Sequence, residues 1–187
     1  MNQVEFTVIV PAYRAAGMVG PCVRALARQT VPRCEYEIIV ADDGSADETA
    51  DAARESGADQ VLILPHHGPA AARNAGVAAA NGRIVLFTDA DCEPASDWIA
   101  RMGEVFDDPQ VMGAKGVYRT RQRSPVARFV QLEYQDKYDR MRGQASIDFV
   151  DTYAAAYRRL LFEAGVGFDP AFPQASGEDI ELSLIHI

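Results

Sequence analysis

The chain has 187 residues, 48% of them hydrophobic, which is enough for one domain with a sizeable core. Its 18 basic and 27 acidic residues give a formal net charge of −9, which speaks against binding nucleic acid through bulk electrostatics. The three cysteines, Cys22, Cys34 and Cys92, form no C-x-x-C pair, and no apolar stretch approaches the ~18 residues of a membrane span. A reduced, cytoplasmic setting without a signal peptide is the expectation.

Residues 4–10 form a β-branched run closed by Pro11, and residues 15–29 carry Val19, Val23, Leu26 and Ala27 at helical spacing, so a strand and then a helix are expected. Residues 37–41 read as a second strand. Ser45 with Glu48 three positions on reads as a capping box opening a helix over 46–55, which Gly57 stops. Residues 61–64 make a third strand, Pro69 opens a helix through Ala80 that Asn81-Gly82 ends, and residues 83–88 make a fourth strand. Strands alternating with helices of about a dozen residues specify a doubly wound, mostly parallel sheet. Such sheets bind ligands beyond the carboxyl ends of their strands, where Asp42-Asp43 and Asp89-Ala90-Asp91 both fall.

After Trp98 the alternation gives way to a mixed α+β half. A helix over 97–106, an extended piece over 111–118 and a basic loop with Arg119, Arg121 and Arg123 come first. Val126, Phe129, Val130, Tyr134, Tyr138 and Met141 then form a helical stripe that reads as a face packed on the sheet; contact with a membrane surface or an acceptor lipid is the alternative. A strand over 147–152 and a short helix over 157–164 follow. The last residues begin a helix that ends on apolar side chains, which predicts a truncated terminus and a foreign tail.

Asp89 and Asp91 carry the most chemical information. Side chains at i and i+2 of an extended chain leave on one face roughly 6.5 Å apart, so two carboxylates can serve one cation. Carboxylate oxygens suit Mg²⁺ or Mn²⁺, which complete their shell with water and substrate phosphates, and a diphosphate ligand is therefore expected. Arg73 and Asn74 lie on a helix whose first turn holds Gly68 and Pro69. A guanidinium there can reach the diphosphate or pair with a carboxylate near the metal. His66 and His67, on the loop before Gly68, read as surface histidines outside the core set.

Four segments stand in order: Val8-Ile9-Val10-Pro11-Ala12-Tyr13, Ala41-Asp42-Asp43-Gly44-Ser45, Gly68-Pro69-Ala70-Ala71-Ala72-Arg73-Asn74-Ala75-Gly76, and Asp89-Ala90-Asp91. Together they resemble the family 2 glycosyltransferases of the GT-A fold, and Gly177-Glu178-Asp179 is similar to that family's glutamate-aspartate motif. The resemblance implies a single transferase domain over 1–187, with a nucleotide-sugar-binding half (1–92) and an acceptor-side half (93–187). It implies an inverting enzyme, assisted by Mn²⁺ or Mg²⁺, that takes a sugar from a nucleoside diphosphate sugar, a UDP-sugar by default. The acceptor would be a sugar or a lipid-linked sugar.

By the same resemblance Pro11, Tyr13 and Asp42 face the nucleoside, Arg73 the diphosphate, and Asp89 the nucleotide sugar. Asp91 would ligate the metal, and Asp179 would be the base that deprotonates the acceptor hydroxyl. The chain departs from the pattern after Tyr13, where Arg14, Ala15 and Ala16 replace the more usual polar and acidic residues. A sugar-phosphate nucleotidyltransferase would need a glycine-rich phosphate loop after the first strand, and residues 11–17 are too poor in glycine. A non-catalytic nucleotide-binding fragment is the other alternative.

Overall fold

The computed structural model describes residues 4–117, 119–120, 122–141 and 150–171. Its strands are β1 (Phe6–Ala12), β2 (Tyr36–Asp42), β3 (Gln60–Ile63), β4 (Ile84–Thr88), β5 (Gly113–Lys115) and β6 (Ala154–Arg158). The helices are α1 (Ala16–Leu26), α2 (Thr49–Glu55), α3 (Pro69–Ala79), α4 (Trp98–Glu104), α5 (Pro125–Met141) and α6 (Leu160–Glu163). One sheet runs in the order β3-β2-β1-β4-β6-β5. β1 pairs in parallel with β2 and β4, β3 in parallel with β2, and β6 antiparallel with β4 and β5. The expected doubly wound sheet and mixed second half are both present.

Alternation along the strands feeds two cores, as a sheet covered on both faces requires. Val8, Val10, Ile38, Val40, Ile84 and Leu86 point to the side packed by α1, α2 and α4. Ile9, Val85, Phe87 and Tyr157 point to the other side, with Ala70 of α3 and Phe168. The helix α3 approaches β1 so closely that a Cβ on Gly76 would stand 2.5 Å from Cγ2 of Ile9.

Three expectations are corrected. The helix α2 starts at Thr49, and no capping box forms: Ser45 Oγ instead accepts the Arg14 N–H at 2.8 Å, while Asp47 Oδ1 accepts the Thr49 N–H at 3.2 Å. Asp47 is held below the usual carboxylate range, chiefly by the Thr49 hydroxyl. In place of a strand over 147–152 (147–149 lie outside the described residues), 152–153 form a turn and the strand runs over Ala154–Arg158, through the start of the expected helix. Its three alanines are poor strand formers alone. Narrow side chains nevertheless fit a strand enclosed between β4 and β5, so packing decides.

The third correction concerns α5, whose stripe does not pack along its length. Tyr138 is buried and its hydroxyl meets that of Tyr153 at 2.8 Å, and Lys137 pairs with Asp151 at 3.3 Å. Val126 (74%) and Phe129 (62%) are exposed at the amino-terminal end. Lys115 of β5 also pairs with Asp151, and burial lowers its pKa. Among the described residues no helix is long and apolar enough to cross a membrane.

Candidate functional site

The parallel strands β1 to β4 all end at one edge of the sheet, and the order reverses between β1 and β4. The expected donor-side residues gather at that edge, Pro11 and Asp42 at strand ends, Tyr13, Asp89 and Asp91 on the loops that follow and Arg73 on α3, as the rule for doubly wound sheets requires. Pro11 closes β1 opposite Ala41 of β2, and the Asp43 N–H donates to the Ala12 carbonyl at 2.8 Å, so the two loops leave as a pair. Asp42 is only 1% exposed, and its Oδ1 accepts the Ser45 N–H at 3.0 Å. Arg14 takes a left-handed backbone (φ 49°) to turn the chain away from the sheet.

Asp43 organises this corner. Its side chain is 4% exposed. Oδ1 accepts the His67 N–H at 2.9 Å; Oδ2 accepts the Gly68 N–H at 2.9 Å and the His66 Nδ1–H at 2.7 Å. A buried carboxylate needs such donors, and they fix the loop that launches α3. Gly68, with φ 91° and ψ 171°, provides a backbone that a side chain would strain, directly before Pro69 at the first helical position. The His66 ring lies on Tyr13, centroids 4.1 Å apart and planes 13° apart.

On the other side of the reversal, β4 delivers Asp89 and Asp91. The buried Arg73 guanidinium reaches from α3 to Asp89 Oδ1 at 3.5 Å and lies 5.7 Å from the centre of the Phe168 ring. Asn74, next on α3, exchanges two hydrogen bonds with the Phe168 backbone, donating to its carbonyl at 2.7 Å and accepting its N–H at 3.0 Å. Phe168 is thereby pinned where its ring covers Arg73. Arg73 thus pairs with a carboxylate at the end of β4.

Asp89, Asp91, Cys92, Tyr134 and Tyr153 line a cleft of about 180 Å³. Burial, reinforced by the neighbouring Asp91 and Asp89, pushes the Cys92 thiol up to about 12. Burial together with Cys92 and the same carboxylates pushes the Cys22 thiol equally far, so both stay protonated at neutral pH. The carboxylate oxygens of Asp89 and Asp91 in this cleft are the donor chemistry that suits Mg²⁺ or Mn²⁺. Among the described residues no group of three or more His, Cys, Asp and Glu converges into a complete protein cage.

The structure thus brings Pro11, Tyr13 and Asp42 together on adjacent strand ends, and Arg73, Asp89 and Asp91 together around the cleft. Asp179 lies outside the described residues. The roles of Asp43, Phe168, Tyr134 and Tyr153 were missed in the sequence; each contact joins residues distant along the chain. Only the pairing of Asp43 with Asp42 at a strand end gave a signal.

A parallel sheet reversing between β1 and β4, with carboxylates at the reversal, places a ligand site at that edge. Residues 7–165 match the profile of glycosyl transferase family 2, and the chain belongs to that family. It is 38% identical over 100 residues to glycosyltransferase AglE of Haloferax volcanii, covering 51% of this chain and 33% of that protein. It is 30% identical over 187 residues to the pre-mycofactocin glycosyltransferase of Mycobacterium tuberculosis, covering 95% of this chain and 38% of that protein. Among solved structures, the mannosyltransferase PcManGT of Pyrobaculum calidifontis, in complex with GDP-Man and Mn²⁺, superimposes with a TM-score of 0.74 at 26% identity. That match covers 98% of this chain and 53% of PcManGT. The chain thus spans about a third of the length of these two curated relatives.

Proposed function

We propose that this chain carries the donor site of an inverting glycosyltransferase that moves a sugar from a nucleoside diphosphate sugar to an acceptor hydroxyl. The observation that carries the reading is the cleft at the end of β4, where Asp89 and Asp91 stand together and a buried arginine is paired to the first of them. PcManGT, similar in structure, holds GDP-Man and Mn²⁺. In this reading residues 1–92 form the donor half, and the residues after 92 face the acceptor.

Pro11, Tyr13 and Asp42 line the nucleoside end. Asp89 contacts the nucleotide sugar, and Arg73 acts on the ligand by orienting Asp89. Asp91 holds a divalent cation, whose contribution when bound is to neutralise negative charge on the departing diphosphate. The residues fit such an ion: two carboxylates in a cleft with open solvent positions are what a hard cation takes when a diphosphate completes its shell.

Asp179 takes the proton of the acceptor hydroxyl. The freed oxygen attacks the anomeric carbon on the face opposite the diphosphate, whose C–O bond breaks as the new one forms. A single displacement of this kind inverts the centre, and the base must stand within hydrogen-bond reach of the hydroxyl. Tyr134 and Tyr153 provide an aromatic wall against the sugar.

The test is sugar transfer from UDP- and GDP-sugars, with the product's anomeric configuration read by NMR. Inversion is expected. Asp179→Asn should keep donor binding and lose transfer, whereas Asp91→Asn should lose metal-dependent donor binding. A product of retained configuration would overturn the single-displacement mechanism, and normal transfer by Asp179→Asn would remove the base from Asp179.

A further inference from the structure

His66 stands apart from the family motifs, yet the structure treats it unlike a solvated loop histidine. Its imidazole is clamped between two partners: one face lies on the Tyr13 ring at 4.1 Å, and Nδ1 meets the Asp43 carboxylate at 2.7 Å and the Asp43 carbonyl at 3.1 Å. Both oxygens only accept, so Nδ1 carries a proton and donates it to Asp43. The side chain remains 56% exposed while the carboxylate holding it is 4% exposed. The fold therefore spends a buried charge on orienting a ring that opens to solvent.

The neighbouring backbone keeps room for that ring's loop. Gly44, at φ 75°, has no side chain, and a Cβ there would stand 3.0 Å from the His66 nitrogen and from the Leu64 carbonyl oxygen. Tyr13 leaves from the end of β1 and His66 from the loop after β3, so the two rings meet across the end of the intervening β2. That places the stack on the β1–β3 side of the strand reversal, while Asp89 and Asp91 lie beyond it after the end of β4.

We propose that His66 is a nucleobase-binding residue: Tyr13 backs one face of its ring, and the donor's base stacks on the other. The assignment rests on the donor-site reading above and extends it to a residue outside the motif set. Its ligand class is a nucleoside diphosphate, held at its base; aromatic stacking is tolerant of base identity because every base presents a π-face. Asp43 is then a positioning residue that fixes the ring through Nδ1.

The experiment is calorimetric titration of UDP, GDP and inorganic pyrophosphate, each with Mn²⁺, into the wild-type chain, His66→Ala and His66→Phe. Loss of one stacking ring should weaken nucleotide binding about five- to hundredfold in His66→Ala. Pyrophosphate, which has no base, should bind both proteins alike, and His66→Phe should restore wild-type nucleotide affinity because it keeps the ring. An equal loss for pyrophosphate would make His66 a mere tether of the loop before α3 and overturn the proposal, as would unchanged nucleotide affinity in His66→Ala or failure of the Phe rescue. A wild-type chain that bound neither nucleotide would instead overturn the donor-site reading itself, and this assignment with it.

Discussion

Replacing Asp43 by alanine strips one acceptor group from three donors at once. The Gly68 N–H is buried and has no water to turn to; leaving such a donor unpaired costs about 1–3 kcal/mol. The His67 N–H and the His66 ring are partly or largely open and recover part of their loss from solvent, adding about 1 kcal/mol between them. Removing a buried charge offsets some of this. Before that offset the donor losses sum to about 2–4 kcal/mol, which is the upper range for the variant.

With a urea dependence of about 2 kcal/mol per molar, that loss moves the unfolding midpoint down by about 1–2 M. Asparagine separates geometry from charge. Its single oxygen can occupy the position of Oδ2 and satisfy Gly68 and His66, which turns its amide nitrogen toward the His67 N–H. Asp43→Asn should therefore lose about half as much. Urea titrations followed by circular dichroism measure both. A loss below about 1 kcal/mol for Asp43→Ala would refute the idea that this carboxylate organises the corner.

Gly76→Ala should destabilise the fold by about 1–3 kcal/mol, against the usual gain for glycine to alanine in a helix, because the new Cβ meets Ile9 at 2.5 Å. Gly17→Ala, in α1 with nothing near the added Cβ, should leave stability unchanged or raise it; equal thermal shifts for the two would contradict the packing of α3 on β1. Arg73→Met keeps a long apolar side chain beside Phe168 but leaves Asp89 without its guanidinium, so donor affinity should fall about tenfold; an unchanged Kd would show that Arg73 does not orient that carboxylate. With a thiol reagent at pH 8, exposed Cys34 should react promptly, whereas Cys22 and Cys92, pushed up to about 12, should react far more slowly because almost none of either is thiolate; three equal rates would contradict this.

The amino-terminal half was readable because each element obeys one local rule. The β-branched runs of β1, β2 and β4 are enclosed on both faces, and the helices between them carry their apolar residues at helical spacing. Asp89 and Asp91 were legible as carboxylates just past a strand end, but their extended geometry was not: β4 stops at Thr88, and residues 89–92 form a turn in which the Cys92 N–H donates to the Asp89 carbonyl at 3.0 Å. The errors fall where distant partners decide. Ser45 and Glu48 have the letters of a capping box, but Ser45 is drawn to the Arg14 N–H across 31 residues.

In the carboxyl-terminal half, the alanines of β6 carry no strand signal, and only the gap between β4 and β5 makes them one. The stripe on α5 has the right period, yet period cannot tell a buried face from an open one. His66 was set aside as a loop histidine because nothing local links it to Asp43 or Tyr13; that link exists only once β1, β2 and β3 lie side by side.

The central claim is that the β4 end is a metal-assisted nucleoside diphosphate site. Calorimetric titration of UDP and GDP into the wild-type chain and Asp91→Asn, with Mn²⁺ and again with EDTA, tests it most directly. The account predicts that at least one nucleotide binds the wild type with Mn²⁺, that EDTA weakens this binding, and that Asp91→Asn removes the metal dependence. Binding of equal strength with and without the ion, or in Asp91→Asn, would contradict it.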